Sequence, residues 1–116
     1  MAGKHDKVKD HERFSILVPD ITRCFICGTG NGVNLHEVFY GTANRSKSKE
    51  DGMCCPLCRE CHQGTHGVHN NKVFDLKLKK QAEKIWIINY ANGDFNKGIE
   101  DFIKRYGKNY VDEGDY

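Results

Sequence analysis

Two Cys-x-x-Cys pairs, Cys24–Cys27 and Cys58–Cys61, constrain this chain more than any other feature, and 30 residues separate them. A Cys-x-x-Cys turn sets two thiolates on one side of the backbone, at the bite that tetrahedral zinc requires. Two such turns close a coordination shell. Cys55-Pro56-Leu57-Cys58 overlaps the second pair with the same spacing, so spacing alone leaves open whether Cys55 or Cys61 completes the shell. Cys54 and Cys55 are otherwise read as non-ligating residues of a strand. A redox dithiol would want a thioredoxin-like βαβ context, and none is legible here. A shell of four cysteines has no open position, so zinc held there contributes folding energy and any chemistry must come from elsewhere.

Such a staple suits a chain of this size. With 116 residues, 38% hydrophobic and 29% charged, a single domain over 1–116 with a modest core is expected, and small cores commonly need a metal or disulfides. No apolar stretch follows Met1 and no run reaches transmembrane length. The expectation is therefore a cytoplasmic protein without a membrane partner, whose clustered thiols bind metal rather than pair as disulfides. Residues 1–13 are polar and mixed in charge and are expected to fray, with His5 and His11 exposed. Net charge is only +2, but residues 41–80 hold eight basic and four acidic side chains, whereas residues 94–116 hold four and six. Positive charge thus gathers around the cysteine cluster, which suits a polyanion.

Secondary structure is expected in short pieces. Residues 35–40 read as a strand, 41–52 as a polar loop with one helical turn near 46–50, and 53–57 as a second strand. Leu78, Ala82, Ile85, Trp86 and Asn89 share one face of a helix. A last helix is expected from the N-cap Asp94 to a C′ glycine at Gly107, with Phe95, Ile99, Phe102, Ile103 and Tyr106 as its core stripe.

Five further residues could carry chemistry: His36, Glu37, His62, His66 and His69. His62 directly follows a zinc-ligand cysteine, so its backbone is pinned by the first metal. Imidazoles beside a carboxylate suit a divalent ion that keeps positions open for substrate.

In order, Cys24-x-x-Cys27, His36-Glu37-Val38-Phe39-Tyr40-Gly41 with Asn44-Arg45, Leu57-Cys58-x-x-Cys61-His62 and Gly67-Val68-His69 resemble the HNH endonuclease superfamily. More narrowly they resemble small phage and prophage HNH-type proteins, over about residues 24–80. The resemblance implies an α+β fold: a zinc-stapled ββα-metal core at 24–80, followed by C-terminal helices over 81–107. It implies magnesium or manganese on His36, His62 and His69, with Glu37 in the general-base position. The family's usual residue at that position is histidine. Glu37 therefore leaves three assignments open: Glu37 as base with a raised pKa, His36 as base with Glu37 helping to hold the metal, or a route through water or the substrate itself. The family's Asn near the second knuckle has no direct counterpart, and Asn44 or Asn70 could supply the amide. The last ligand is His69 by the Gly-Val-His form and His66 by the Cys-His-x-x-x-His form. His66, if not a ligand, would join Arg45 and Lys47 as a phosphate contact.

The implied activity is metal-dependent hydrolysis of DNA phosphodiester bonds with little sequence specificity, by a phage- or prophage-encoded protein working with phage or host recombination or packaging proteins. The alternative is a non-catalytic zinc module that binds nucleic acid or assists recombination.

Overall fold

The computed structural model describes residues 13–64, 67–112 and 114. Among these residues the fold is α+β, with a two-stranded antiparallel sheet and four α-helices. Strand β1 (Val33–Glu37) pairs with β2 (Cys54–Cys58) in the register Val33↔Cys58, His36↔Cys55 and Glu37↔Cys54. Helix α1 (Arg45–Asp51) fills the connection between the strands. Helix α2 (Arg59–Gln63) follows β2 without a break, and a 3-10 turn (Val68–Asn70) leads into α3 (Lys72–Tyr90) and α4 (Phe95–Tyr106).

The first strand lies two residues earlier than the expected 35–40. After Glu37 the chain leaves the ladder, and Val38 and Phe39 enter the core. The Ser48 hydroxyl takes over as partner for Phe39, donating to its carbonyl at 2.6 Å and accepting from its N–H at 3.2 Å. The single helical turn expected near 46–50 is a helix of seven residues, stopped by Gly52 in the left-handed region at φ +73°. Helix α3 begins at Lys72, ahead of the apolar stripe, because the Asn71 side chain accepts from the Phe74 N–H at 3.1 Å and caps it. Leu78, Ala82 and Trp86 of that stripe are buried, while Asn89 is exposed. Helix α4 has the expected ends: Asp94 accepts from the Lys97 N–H, and Gly107 sits at φ +89°. Ile103 is the exception in its stripe, lying 40% exposed at the rim of the packed face.

The core joins the hairpin to the two long helices. Phe39 packs edge-on against Phe102 at 5.0 Å between centroids and tilts against Tyr106 at 4.8 Å, and Trp86 meets Phe102 edge-on. Asp51, at the end of α1, accepts from Trp86 Nε1 at 2.8 Å, the Tyr106 hydroxyl at 2.7 Å and Arg105 Nε at 2.5 Å. One carboxylate thereby ties α1 to both α3 and α4. Residues 13–32 contain no regular element but are strapped to the sheet. Ile16 N–H donates to Gly52 O, Ser15 Oγ to Cys54 O, and Phe25 N–H to Pro56 O. No helix among the described residues is long and apolar enough to cross a membrane.

Candidate metal centres

Two clusters of metal-ligating side chains stand side by side. The first brings together the thiols of Cys24, Cys27, Cys58 and Cys61, all within 4.8 Å of one another. Zinc–sulfur bonds of about 2.3 Å in a tetrahedron place sulfurs about 3.8 Å apart, and Cys27 Sγ lies 3.6 Å from Cys58 Sγ. The four thiols therefore fit a metal such as zinc. Burial pushes the Cys24 thiol up, but the backbone N–H groups of Cys27, Cys58 and Ile26 outweigh it and bring the thiol down to about 6. Amides aimed at sulfur stabilise the thiolate that a metal takes. Of the two ways to complete the shell left open by spacing, the geometry gathers Cys61 and not Cys55. The Cys55 side chain joins the apolar core, where burial pushes its thiol up to about 12.

The knuckles position the second cluster. Cys58 ends β2 and N-caps α2, Cys61 lies within α2, and His62 is the next residue. Holding the N-cap residue and one residue of a five-residue helix constrains where the His62 ring points. His36 comes from β1, and the register against β2 brings its Nδ1 to 3.1 Å from His62 Nε2. His69 comes from the 3-10 turn, with Nε2 at 2.9 Å from His62 Nε2. Ligand bonds of about 2.1 Å at right angles would set neighbouring nitrogens about 3.0 Å apart, so His62 stands at a ligand's spacing from both His36 and His69, and the three nitrogens, all within 4.8 Å, could share one ion. Exposure rises from buried His36 through half-buried His62 to exposed His69, which leaves the opposite face toward solvent. Burial, followed by the neighbouring His62 and His69, holds His36 down at about 3, so its ring is neutral and free to ligate at neutral pH.

Ligand type bears on the expected ion. Three imidazoles with no carboxylate among them are matched to ions such as zinc, nickel or iron. Magnesium prefers oxygen ligands, and manganese leans the same way. Magnesium does not fit this donor set.

An open cavity of about 200 Å³ lies over the cluster, lined by His36, Glu37, Tyr40, Arg45, His62 and His69, with Leu35 at its edge. Glu37 is engaged on one side by an ion pair to Arg13, whose guanidinium also reaches the Leu35 carbonyl and Cys54 Sγ. Arg13 ends the stretch expected to fray, and it is fixed. Residues 1–12, with His5 and His11, lie outside the described residues. Arg45 Nε stands 3.8 Å from the other Glu37 oxygen, Oε1, and its side chain is 62% exposed. Tyr40 forms a wall. Its hydroxyl donates to Asp75 at 3.0 Å, Lys79 pairs with the same carboxylate at 2.9 Å, and the Lys79 ammonium lies 4.2 Å from the centre of the Tyr40 ring.

Other expected contacts are not gathered here. Lys47 donates to the Arg105 carbonyl at 2.7 Å, bracing α1 against α4 outside the cavity. His66 lies outside the described residues. Asn44 donates to the Tyr106 carbonyl, and Asn70 donates to the Gln63 and Gly64 carbonyls, clamping the loop between His62 and His69. Neither amide lines the cavity. The sequence reading missed Arg13, Tyr40, Asp75 and Lys79. Arg13 reaches the site only through contacts distant in sequence, and Asp75 and Lys79 through Tyr40, whereas Tyr40 lies in the motif around His36 and packs against its ring.

No family model, curated protein or solved structure matches this chain.

Proposed function

We propose that this chain is a metal-dependent endonuclease of the HNH type, cutting DNA phosphodiester bonds, with zinc on the four cysteines as its structural staple. The observation that carries the reading is the convergence of His36, His62 and His69 on one point, open to solvent and flanked by a guanidinium. The resemblance in the order of motifs supplies the substrate class.

In this reading the three imidazoles hold a first-row transition ion. When bound, that ion would supply Lewis-acid stabilisation of the charge developing on the phosphoryl oxygens. The protein's own groups do the rest. Arg45, exposed at the cavity mouth, binds a non-bridging phosphate oxygen and orients the group for in-line attack. His36 Nδ1 belongs to the ligand cluster, and its Nε2 is buried with no hydrogen-bond partner among the described residues, which supports Glu37 over His36 as the base. Glu37 Oε1, free of the Arg13 pair, takes the proton of the attacking water as the new P–O bond forms, and solvent supplies a proton to the leaving oxygen as the old P–O bond breaks. Arg13 holds that carboxylate in place, and the braced Tyr40 wall limits where the phosphate can sit.

The ion pair between Glu37 and Arg13 also favours a second reading. A base position occupied by a salt-bridged glutamate suits a zinc module that binds nucleic acid without cutting it. One assay separates the two. Zinc-loaded protein is incubated with supercoiled plasmid and manganese, nickel, cobalt or magnesium in turn, with EDTA and His62→Ala as controls. Nicking with a transition ion, abolished by EDTA and by His62→Ala, supports the enzyme. Intact plasmid under every ion, with DNA still bound, leaves the non-catalytic module.

A further inference from the structure

A second cavity, of about 320 Å³, opens on the far side of His62 and is lined by Gly32, Asn34, Leu57, Arg59, His62 and Gln63. The two cavities share His62, and their lining residues on the first strand side run from Gly32, just before β1, to Glu37 at its end. Five residue rises span about 17 Å, more than one nucleotide occupies along a nucleic-acid strand, where the axial rise is about 3.4 Å. Each cavity carries one exposed guanidinium, Arg45 in the first and Arg59 in the second. Arg45 has Glu37 nearby. The side chains of Asn34, Arg59 and Gln63 make no hydrogen bond or ion pair among the described residues. Glu60, next in sequence to Arg59, turns its carboxylate against Gly64 and does not neutralise Arg59.

We infer that Arg59, with Asn34 and Gln63, forms a second phosphate subsite, engaging the nucleic-acid strand at a nucleotide neighbouring the one over the histidines. The inference rests on the nuclease reading and sharpens its substrate: a polymer held at a phosphate beside the scissile one, not a mononucleotide. An unpaired guanidinium beside two free amides offers donors to phosphate oxygens and sugar hydroxyl or ring oxygens.

The test is anisotropy of a fluorescein-labelled 16-nucleotide DNA, single-stranded and duplex, with zinc-loaded protein and no further divalent ion. Arg59→Ala is compared with Lys104→Ala, which removes the same charge from an exposed site on α4. On the tighter-binding DNA form, Arg59→Ala is expected to weaken affinity about tenfold and to lower the salt slope by about 0.7–0.9. Lys104→Ala is expected to stay within about twofold. Arg59→Lys recovers part of the loss, since it restores charge without the fork. Zinc content of each variant checks folding. If the wild type nicks plasmid but Arg59→Ala binds as tightly as wild type, or loses no more than Lys104→Ala, the subsite is wrong and the nuclease reading stands. If the wild type neither binds nor nicks DNA, both fall together.

Discussion

Glu37 is held on one side and open on the other, and the assignment of the base depends on that asymmetry. Its Oε2 faces Arg13, while Oε1 faces the cavity and Arg45. Glu37→Gln keeps an acceptor for Arg13 and changes volume little, but the amide cannot take a proton from water. We expect kcat for plasmid nicking to fall about a hundredfold or more, with DNA affinity and zinc content near wild type. Activity within a few fold of wild type would move the proton to solvent or to another group. At this scale the sequence showed unevenly. The four cysteines could be read because a Cys-x-x-Cys bite is set by adjacent residues, and the choice between Cys55 and Cys61 could not, because it depends on which way β2 turns its side chains. His36 and His62 lie 26 residues apart, and only the strand register brings them together. The Arg13 pair spans 24 residues and begins in a stretch whose composition reads as tail.

Among the elements, those with ends marked by local chemistry were legible. Asp94 and Gly107 bracket α4 because an N-cap carboxylate and a left-handed glycine act within one turn. The end of β1 depended on a tertiary partner, the Ser48 hydroxyl, and could not be read locally, whereas α1 ends on a left-handed glycine, Gly52, as α4 does. The loop joining α2 to the 3-10 turn is the element on which the histidine cluster depends most. Gly67 is buried there, and a Cβ on it would stand 2.8 Å from the Glu60 carbonyl oxygen and 2.9 Å from the His62 carbonyl carbon. These are backbone atoms of a helix pinned by cysteines, so they cannot yield cheaply. Gly67→Ala should therefore push the 3-10 turn, and His69 with it, away from His62. The expected cost is about 1–3 kcal/mol of stability, read by urea unfolding. Calorimetric titration with nickel should show at least tenfold weaker binding at the histidines while one zinc per chain remains. Unchanged nickel affinity would mean that the turn adapts and that Gly67 does not set the cluster's geometry.

For the molecule as a whole, the two halves of the chain depend on the four-cysteine site to different degrees. Helices α3 and α4 bury Ala82, Trp86, Ile87 and Phe102 against each other and against Phe39. Gly98 lets them approach, since a Cβ there would lie 2.5 Å from an Ile87 methyl. That packing draws nothing from a metal. Residues 13–32 have no helix or strand of their own until β1, and a few backbone bonds to the hairpin, such as Ile16 to Gly52 and Phe25 to Pro56, hold them. Each such bond contributes only about 1 kcal/mol, too little to order twenty residues against their conformational entropy. Metal on Cys24 and Cys27 is what can offset that cost, because binding free energy becomes ordering free energy when the site exists only in the folded chain. Stripping the metal with a strong chelator should therefore release this segment first. Hydrogen exchange at the Ile16 and Phe25 amides should accelerate at least a hundredfold, and amides across α3 and α4 should keep most of their protection. Zinc added back should restore both amides. Uniform loss of protection would make the chain a single cooperative unit built on its metal, and unchanged protection at Phe25 would mean that the hydrogen bonds and the packing of Ile16 and Leu17 against the core suffice without it.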